Sequence, residues 1–451
     1  MGSRVGQLPL PVSVGAFPVD AGLPQIGAAC DPGRMTALLR RHLRPRSDVR
    51  IGACRLEELR HRRGDRSVLK YRLSLDGGRT RHTWAVGVLY GARRPGRAAA
   101  LAERLAATAS AAVPADLLPF APVAFLPEID MLVQVFPFDR RLPALAELAA
   151  GPPASLAALL ADGPAARRSW SCEPVRYRPQ LRATLRYTLH DDPARRFYLK
   201  LDPAARGRDP AMVDRARETL RAAGFAVPRT VAVLPDRGAI VLSEVPGVPF
   251  DRLIEGGGPA GPAARAAARA LARFNRDATV LGRAFTAADE VASLRRAAAV
   301  LAWGGPDLER ATQRTIAGIE RLLDDALTGP THRDLKPDHL LIDRGRPGIV
   351  DLDSCADADP AIDAATLLAR LFGMPFERPG ARAAARRAMW AFADEYLALV
   401  PRSWRPRIDA HYATALVELA ASLVRRQVPG WPRAIAALVA EARAAIDGRL
   451  P

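Results

Sequence analysis

Two acidic stretches near residue 340 contain the side chains best suited to chemistry. Asp334 lies two residues after His332 in a predicted loop, and Asp351 and Asp353 follow a short apolar strand at residues 348–350. Residues two apart in a strand point to the same side, so both later carboxylates could face one metal ion. Transfer of a γ-phosphoryl group needs such carboxylates, together with a cation at the nucleotide phosphates.

Lysine is rare in this chain, and its positions are therefore informative. Of 66 Lys and Arg residues only three are lysines, Lys70, Lys200 and Lys336. Since arginine is used wherever a positive charge suffices, a remaining lysine indicates a need for a compact ammonium. Lys336 follows Asp334 by two residues and is predicted to neutralise a transferring phosphate, with an exposed cation as the alternative. Asparagine is rarer still and occurs once, at Asn275.

Three motifs in this region carry a family resemblance. The segment THRDLKPDHLLID, residues 331–343, resembles the HxDxxxxN catalytic loop of the aminoglycoside phosphotransferase and choline kinase families. GIVDLDS resembles their metal-binding I-D-[FWL]-[DE] strand end, and DADPAIDAATLL resembles the helix start G-D-P-x-x-D-L-A that follows it. Motifs in this order and spacing are a stronger signal together than any one alone. The resemblance covers roughly residues 170–451.

The resemblance implies a role for each acidic residue of these motifs. Asp334 corresponds to the catalytic base, and Asp351 to the Mg²⁺ ligand on the nucleotide phosphates. Asp353 corresponds to a ligand of a second ion or of the substrate, with a solvated neighbour as the alternative. Asp363 is expected to hold the catalytic loop through backbone hydrogen bonds, although a plain helix N-cap is equally compatible with its position. His332 is expected to support the loop structurally.

Position 339 departs from the pattern, because His339 stands where the resembled families carry Asn. Asn supplies a neutral oxygen to the metal, whereas His supplies a borderline nitrogen, and Mg²⁺ prefers oxygen. Since this chain almost wholly avoids Asn, His339 is interpreted as a substitute metal ligand, with decay of the site as the alternative. A ligating imidazole must be neutral, so metal-dependent activity is expected to fall as the pH drops through about 6.5.

The nucleotide-binding half is expected before residue 249. Lys200 ends the strand RRFYLK and resembles the strand lysine that contacts the α- and β-phosphates. Asp214 and Glu218 lie four residues apart on one predicted helix face, so either could hold that lysine. The alternative is an edge-strand cation beside exposed helix acids.

Two further nucleotide contacts are inferred from position alone. The loop that covers the phosphates is expected at RPQLRA, between two strands that precede Lys200, and it contains no glycine. The hinge that binds adenine through backbone groups is expected at residues 243–245, which include Glu244 and Val245.

The order of predicted elements occurs twice. A strand-strand-helix-strand-strand unit returns about 110 residues later, where VLKYRL matches TLRYTL and VAFLPE matches VAVLPD. Val86 aligns near Lys200, and no catalytic loop follows the first unit. The first unit therefore resembles an inactive second copy of a kinase small lobe, and chance similarity of two α+β segments is the alternative.

These elements predict an α+β fold. We expect a two-lobed protein-kinase-like fold with a mostly helical C-terminal lobe, preceded by an extra α+β domain that resembles a second kinase small lobe. The predicted segments are an irregular stretch at 1–34, a degenerate small-lobe-like domain at 35–165, a nucleotide-binding small lobe at 166–248 and a helical catalytic lobe at 249–451. The first helix is expected over residues 35–45.

Composition excludes several classes of protein. The net charge of +18 comes from arginines spread along the chain, mostly on Ala/Arg-rich helical patterns, so nucleic acid is not the expected partner. No run of about 18 apolar residues predicts a membrane span. The first residues lack the basic start and unbroken apolar core of a secretory signal, which favours a cytoplasmic protein. The four cysteines are too sparse for a disulfide framework or a zinc site.

The predicted function is that of a small-molecule kinase. It would transfer the γ-phosphate of ATP, or of GTP, to a hydroxyl of a sugar, amino alcohol or aminoglycoside-like acceptor, with Mg²⁺ as the metal. The alternative is a pseudokinase, a nucleotide-binding regulatory protein without phosphoryl transfer. The identity of the acceptor, the choice between ATP and GTP, and the oligomeric state are left open by the sequence.

Overall fold

The computed structural model describes residues 19–46, 48–77, 82–114, 117–161, 169–204 and 209–448. The chain divides into two compact units. The sheet unit comprises Val19–Asp209 and Pro228–Glu244, and the helical unit comprises Pro210–Val227 and the chain from Val245 onward. The predicted fold class is confirmed, with sheets in the N-terminal part and helices in the C-terminal part. The finer division into four segments stays a prediction.

The first half of the sheet unit is a five-stranded antiparallel sheet in the order β1-β2-β3-β5-β4. Two helices precede it, and the second begins at an Asp31 cap that accepts a hydrogen bond from the backbone N–H of Arg34. The first 34 residues are therefore not wholly irregular, and the helix expected at 35–45 begins earlier. The elements are α1 (Ile26–Cys30), α2 (Pro32–His42), β1 (Arg50–Arg62), β2 (Arg66–Asp76), β3 (His82–Tyr90), α3 (Arg97–Ala112), β4 (Val123–Leu126) and β5 (Met131–Val135).

The second half of the sheet unit repeats this topology. Its strands pair antiparallel in the order β6-β7-β8-β10-β9, so the five strands have the same relative order as β1-β2-β3-β5-β4 in the first sheet. The helix that follows β8, α6, belongs to the helical unit. The elements are α4 (Leu145–Ala150), α5 (Ala154–Ala161), β6 (Trp170–Arg178), β7 (Arg182–Leu189), β8 (Arg196–Leu201), α6 (Pro210–Ala222), β9 (Thr230–Leu234) and β10 (Ala239–Ser243).

Strand register identifies the residue of the first sheet that corresponds to Lys200. Lys200 pairs with Thr184 in the second sheet. The match of VLKYRL with TLRYTL aligns Thr184 with Val68, whose partner in the first sheet is Val88. The pairing of β3 with β5 and of β8 with β10 gives the same equivalence. The counterpart of Lys200 is therefore Val88 rather than Val86, because the short sequence match contains no register.

One apolar core joins the two sheets. It includes Val86 and Val88 from the first sheet and Leu199, Leu201 and Val241 from the second, together with side chains of α3 and α4. Because side chains alternate along a strand, Leu199 and Leu201 point away from the face that carries Lys200. The corresponding face of the first sheet is instead the one that the core buries, so a lysine there would be desolvated.

The described part of the helical unit contains two small sheets among eight further α-helices. β11, β13 and β14 form one antiparallel sheet, and β12 pairs with β15. The catalytic-loop motif leads directly into the antiparallel hairpin of β13 and β14. The elements are β11 (Val248–Pro249), α7 (Phe250–Glu255), α8 (Ala260–Asn275), α9 (Ala287–Leu301), α10 (Pro306–Glu320), β12 (Gly329–Thr331), β13 (Leu340–Asp343), β14 (Arg346–Ile349), β15 (Ala356–Ala358), α11 (Ala361–Glu377), α12 (Arg382–Leu399), α13 (Arg405–Arg426) and α14 (Trp431–Ile446). Among the described residues, no helix combines the length and apolarity needed to cross a bilayer.

Candidate active site

The loop between β12 and β13 is held by a carboxylate on α11. Asp363 is buried, and its two oxygens accept hydrogen bonds from the backbone N–H groups of His332 (2.8 Å) and Arg333 (2.7 Å). Burial raises the pKa of Asp363, and these donors oppose that rise. Arg333 has φ +64°, a left-handed conformation that a bulky residue adopts only when its surroundings enforce it. The expected backbone-holding role of Asp363 is confirmed.

His332 is a structural member of the same loop. Its ring is buried, Nε2 donates to the carbonyl oxygen of Val350 (3.0 Å), and Nδ1 lies 3.4 Å from the backbone nitrogen of Asp334. The imidazole thereby connects the loop to the end of β14. This agrees with the structural role expected from the sequence.

Two residues that support this loop were missed by sequence reasoning. The side-chain nitrogen of Asn275 donates to Asp363 (2.9 Å) and to the carbonyl oxygen of Pro330 (3.1 Å), and its oxygen accepts from the hydroxyl of Tyr396 (3.0 Å). The signal was its rarity, since it is the only asparagine of the chain. The guanidinium carbon of Arg333 lies 3.4 Å from the centroid of the Phe285 ring, a contact that no motif announced.

Asp334 lies at the accessible side of the loop. Its carboxylate is 30% exposed, and Oδ2 is 2.6 Å from Nζ of Lys336. Burial raises the pKa of Asp334, but the charge and hydrogen bond of Lys336, together with the neighbouring groups His339 and Arg370, lower it overall. Asp334 is therefore ionised at neutral pH, as an acceptor of a proton must be.

The imidazole of His339 has a defined tautomer. Nδ1 lies 2.8 Å from the carbonyl oxygen of Asp334, which can only accept, so Nδ1 carries the hydrogen. Nε2 then presents its lone pair at 3.5 Å from Oδ2 of Asp351. Burial, helped by Lys336, lowers the pKa of His339 to about 4. The expected loss of its neutral form near pH 6.5 is thus corrected, because a desolvated imidazole beside an ammonium stays neutral to much lower pH.

Three side chains here have the spacing of a metal site. Ligand atoms of Asp334, His339 and Asp351 all lie within 4.8 Å of one another. Asp351 lies two residues past the end of β14 and has φ +66°, so its backbone does not continue the extended strand. Asp353 lies on the 3₁₀ turn Leu352–Ser354 and is not a member of this group. The expectation that both carboxylates share one strand face is wrong, because the strand stops at Ile349.

The residues of the predicted nucleotide half lie in both compact units. Lys200 is half-buried on β8 of the sheet unit. Asp214 and Glu218 are exposed on α6 of the helical unit, and Asp214 forms an ion pair with Arg217. The pairing of Lys200 with either acid stays a prediction.

The predicted adenine hinge falls at the boundary between the units. β10 ends at Ser243, and the division between the units lies between Glu244 and Val245. The carboxylate of Glu244 is 3.4 Å from the guanidinium of Arg196, and Val245 is buried. The two peptide groups thus occupy the chain segment that connects the compact units, while adenine recognition there stays a prediction.

The β6–β7 hairpin, expected to cover the nucleotide phosphates, is anchored to the first half of the sheet unit. Asp139 Oδ2 accepts hydrogen bonds from the backbone N–H of Gln180 (2.6 Å) and from the hydroxyl of Tyr177 (2.8 Å). Arg60 donates to the carbonyl oxygen of Pro179 at the tip of the hairpin. This glycine-free loop is thus held by Asp139 and Arg60. Both belong to the first of the two repeated units, residues 35–165, which we call the first copy.

Lys70, the remaining lysine of the chain, also contacts the β6–β7 hairpin. Its Nζ lies 3.3 Å from Glu57 and donates to the carbonyl oxygen of Tyr177 (3.2 Å). Burial raises the pKa of Glu57, but Lys70 and a hydrogen bond from Trp84 lower it overall. Lys70 is therefore part of a half-buried ion pair inside the sheet unit.

A further carboxylate lies near Asp334. Glu418 on α13 accepts a hydrogen bond from the hydroxyl of Ser293, and burial raises its pKa, with the charge of Asp334 among the causes. On α12, by contrast, Asp394 is exposed, and Glu395 forms an ion pair with Arg269 of α8.

The family model of the Phosphotransferase enzyme family matches residues 175–406. This match covers half of the chain, from the second sheet to the start of α13, and the chain belongs to this family. The family resemblance proposed from the three motifs is confirmed, and the chain is a phosphotransferase. A search of the curated proteins gives no match.

Several solved structures are similar to part of the chain. Aminoglycoside phosphotransferase APH(3'')-Id from Streptomyces rimosus is 22% identical, with a TM-score of 0.41 over 58% of this chain and 97% of that one. Choline kinase LicA from Streptococcus pneumoniae is 13% identical, with a TM-score of 0.42 over 62% and 93%. A choline/ethanolamine kinase family protein from Mesorhizobium loti is 16% identical, with a TM-score of 0.41 over 58% and 85%.

Proposed function

We propose that this phosphotransferase is a small-molecule kinase that moves the γ-phosphoryl group of ATP or GTP to a hydroxyl. The observation that carries the proposal is the convergence of Asp334, His339 and Asp351 on one side of a loop fixed by Asp363. Phosphoryl transfer needs positioned charge and a proton acceptor more than covalent chemistry. This arrangement supplies both within one rigid segment.

Asp334 is proposed to accept the proton of the attacking hydroxyl. Its ionised carboxylate remains 30% exposed, so an acceptor molecule can reach it. Lys336 keeps that carboxylate ionised through their 2.6 Å contact, and its ammonium is flexible enough to turn towards a phosphate oxygen. The two side chains would thus orient the nucleophile and offset negative charge on the transferred group.

The donor set fits a divalent cation. Asp351 and Asp334 offer carboxylate oxygens, and neutral His339 turns an unprotonated Nε2 towards Asp351. With no proton between them, this lone pair and this carboxylate repel each other, and an ion held by both would remove the repulsion. We propose Asp351 and His339 as ligands of Mg²⁺, with Asp353 holding a second ion or the substrate and Asp334 acting as the base. When bound, the ion supplies positive charge that orients the nucleotide phosphates.

The nucleotide would be held from the second sheet and the chain that follows it. We assign the contact with the α- and β-phosphates to Lys200, supported by Asp214 or Glu218, and the adenine contacts to the backbone of Glu244 and Val245. The glycine-free hairpin would cover the phosphates, since Asp139 and Arg60 already fix its position.

The pseudokinase alternative is not favoured. Its support was the missing glycine loop and the residue at position 339. The hairpin is anchored by side chains from the first copy, and His339 keeps the geometry of a ligand. A decayed site would not be expected to preserve base, ligand set and loop anchor together.

The test is phosphoryl transfer by the purified full chain. We expect Mg·ATP or Mg·GTP, incubated with sugars, amino alcohols and a metabolite extract, to give an acceptor that mass spectrometry shows to carry one more phosphoryl group. Nucleotide-dependent thermal stabilisation that requires Mg²⁺ but gives no phosphorylated acceptor in any mixture would instead establish a nucleotide-binding regulatory protein.

A further inference from the structure

A second site is suggested by a cavity inside the sheet unit, remote in sequence from the catalytic loop. Its volume is about 350 Å³, and residues at the turn between β1 and β2 form part of its lining. We call it the arginine pocket, because five of its eight lining residues are arginines; the lining comprises Arg60, Arg62, Arg66, Arg94, Arg141, Asp65, Gln180 and Leu181. All of these residues belong to the sheet unit.

The positive charge of the arginine pocket is only partly balanced. Arg94 pairs with Asp65 at 2.9 Å, and the side chain of Arg60 lies 3.5 Å from Glu58. Among the residues that the structure describes, the guanidinium groups of the other three arginines, Arg62, Arg66 and Arg141, have no carboxylate within 4 Å.

The arginine pocket also places like charges against each other. Arg62 and Arg66 are directly paired across the β1–β2 ladder, where like charges destabilise a sheet. Burial lowers the pKa of Arg66, and the charges of Arg62 and Arg141 lower it further. An apo protein gains nothing from this concentration of charge, whereas an anion in the cavity would stabilise it.

The second, independent observation is Gln180. Its side chain lines the pocket, the residue is only 8% exposed, and neither its amide nitrogen nor its oxygen has a hydrogen-bond partner. An amide buried in this way costs free energy unless something in the cavity completes its bonds. Its backbone is fixed in the left-handed region (φ +63°) by the bond to Asp139, so the side chain cannot easily swing out to solvent.

We propose that the arginine pocket binds a small phosphorylated compound. Guanidinium groups match the oxygens of a phosphate in bidentate geometry. Because three of them have no carboxylate partner in the described part of the chain, a phosphate dianion fits the pocket better than a ligand with a single carboxylate. The Gln180 amide adds one neutral donor and one acceptor for the group esterified to the phosphate. A cavity of about 350 Å³ is in the range of small-ligand sites and too small for a macromolecule.

The experiment is a titration of the full chain without metal, in EDTA and at constant ionic strength. Inorganic phosphate, pyrophosphate and glucose 6-phosphate are the probes, followed by calorimetry and thermal shift. We expect saturable binding of at least one probe. Arg66→Gln should weaken it about tenfold, the change that loss of one charge-assisted contact typically produces, and Arg66→Gln with Arg141→Gln should abolish it.

Two variants separate a built site from general attraction of anions. Arg104→Gln removes the same charge from an exposed position on α3 and should bind like the wild type. Gln180→Leu removes no charge and should still weaken binding of the phosphate ester. Equal responses from wild type, Arg66→Gln, Gln180→Leu and Arg104→Gln, or no saturable binding of any probe, would overturn the proposal.

A further arm separates this site from the catalytic one. Lys200→Ala should leave metal-free phosphate binding unchanged. If Lys200→Ala abolished binding while the arginine variants kept it, the probes would occupy the nucleotide site and the arginine pocket would be excluded. Unfolding is not the expected outcome of Arg66→Gln, because it removes like-charge repulsion, and circular dichroism of each variant checks this.

Discussion

The two five-stranded sheets have the same strand order but different surroundings at one equivalent position. In the first sheet that position is Val88, fully buried in the core that joins the sheets. In the second sheet it is Lys200, on the face opposite the core residues Leu199 and Leu201. A repeated scaffold thus preserves strand pairing, while the face that packing buries determines which copy can present a charge.

The first sheet supports the second through polar contacts as well. Asp139 and Arg60 hold the β6–β7 hairpin, and Lys70 donates to its start. The position of that hairpin therefore does not depend on glycines in its own loop, because side chains of the first copy hold it in place. We interpret the first copy as a structural support for the second, and four predictions test this asymmetry.

The largest effect is expected at the catalytic loop, which follows only the second sheet in the part of the chain that the structure describes. Asp334→Asn should lower kcat by about 10²–10⁴, the usual effect of removing a general base, while the fold and nucleotide binding persist. The measurement is the rate of phosphoryl transfer at saturating nucleotide. Asp338→Asn, an exposed neighbour, is the matched control and should keep full activity. Full kcat in Asp334→Asn would refute the assignment.

The next prediction compares equivalent positions directly. Lys200→Ala should raise the KM for nucleotide and lower kcat, because the phosphates lose a cation. Val88→Ala should leave both constants unchanged and instead lower the free energy of unfolding by about 1–3 kcal/mol, as truncation in a core does. Steady-state kinetics and urea unfolding of both variants measure this. Equal changes in nucleotide KM would contradict the division of roles between the copies.

The motif-bearing parts of the site were predictable from sequence, because local spacing determined them. The catalytic loop, the hairpin β13–β14 and the bonds from Asp363 to the loop backbone all follow from short segments. The placement of Asp353 was not predictable, because a left-handed Asp351 ends the strand alternation. The sequence match placed the counterpart of Lys200 at Val86, two residues from its actual position at Val88. The match was wrong because register depends on pairing with strands far along the chain.

Long-range effects account for the remaining differences. Asp139 and the hairpin tip at Gln180 are separated by 41 residues, so no motif joins them. The low pKa of His339 results from burial, which sequence spacing does not reveal. Asn275 was missed for the same reason, because its partners Pro330 and Asp363 lie 55 and 88 residues away along the chain.

A smaller effect is expected from the contact between the two copies. Asp139→Ala removes the acceptor of the Gln180 and Tyr177 hydrogen bonds and leaves two buried donors unsatisfied. We expect a loss of about 1–3 kcal/mol in the free energy of unfolding, together with a higher nucleotide KM, because the hairpin loses its anchor. Asp191→Ala, at an exposed position in the β7–β8 turn, serves as a control. An unchanged KM in a destabilised Asp139→Ala protein would show that the first copy supports folding only.

The smallest effect is expected at His339, where the site departs from its family pattern. His339→Asn replaces a nitrogen ligand with an oxygen, and oxygen suits Mg²⁺ whereas nitrogen is better accepted by Mn²⁺. The wild type should therefore show a higher ratio of Mn²⁺- to Mg²⁺-supported kcat than the variant, by a few-fold. Because the pKa of His339 is about 4, this ratio should not change between about pH 6 and pH 8.

Two outcomes would change this interpretation of His339. Identical metal preference in wild type and His339→Asn would remove the imidazole from the metal shell and leave the 2.8 Å bond to the Asp334 carbonyl as its only function. An inactive wild type that His339→Asn restores to activity would show instead that the second copy has also lost its chemistry. In that case both sheets would have only structural roles. The difference between Val88 and Lys200 would then be a remnant of the duplication and would have no effect on catalysis.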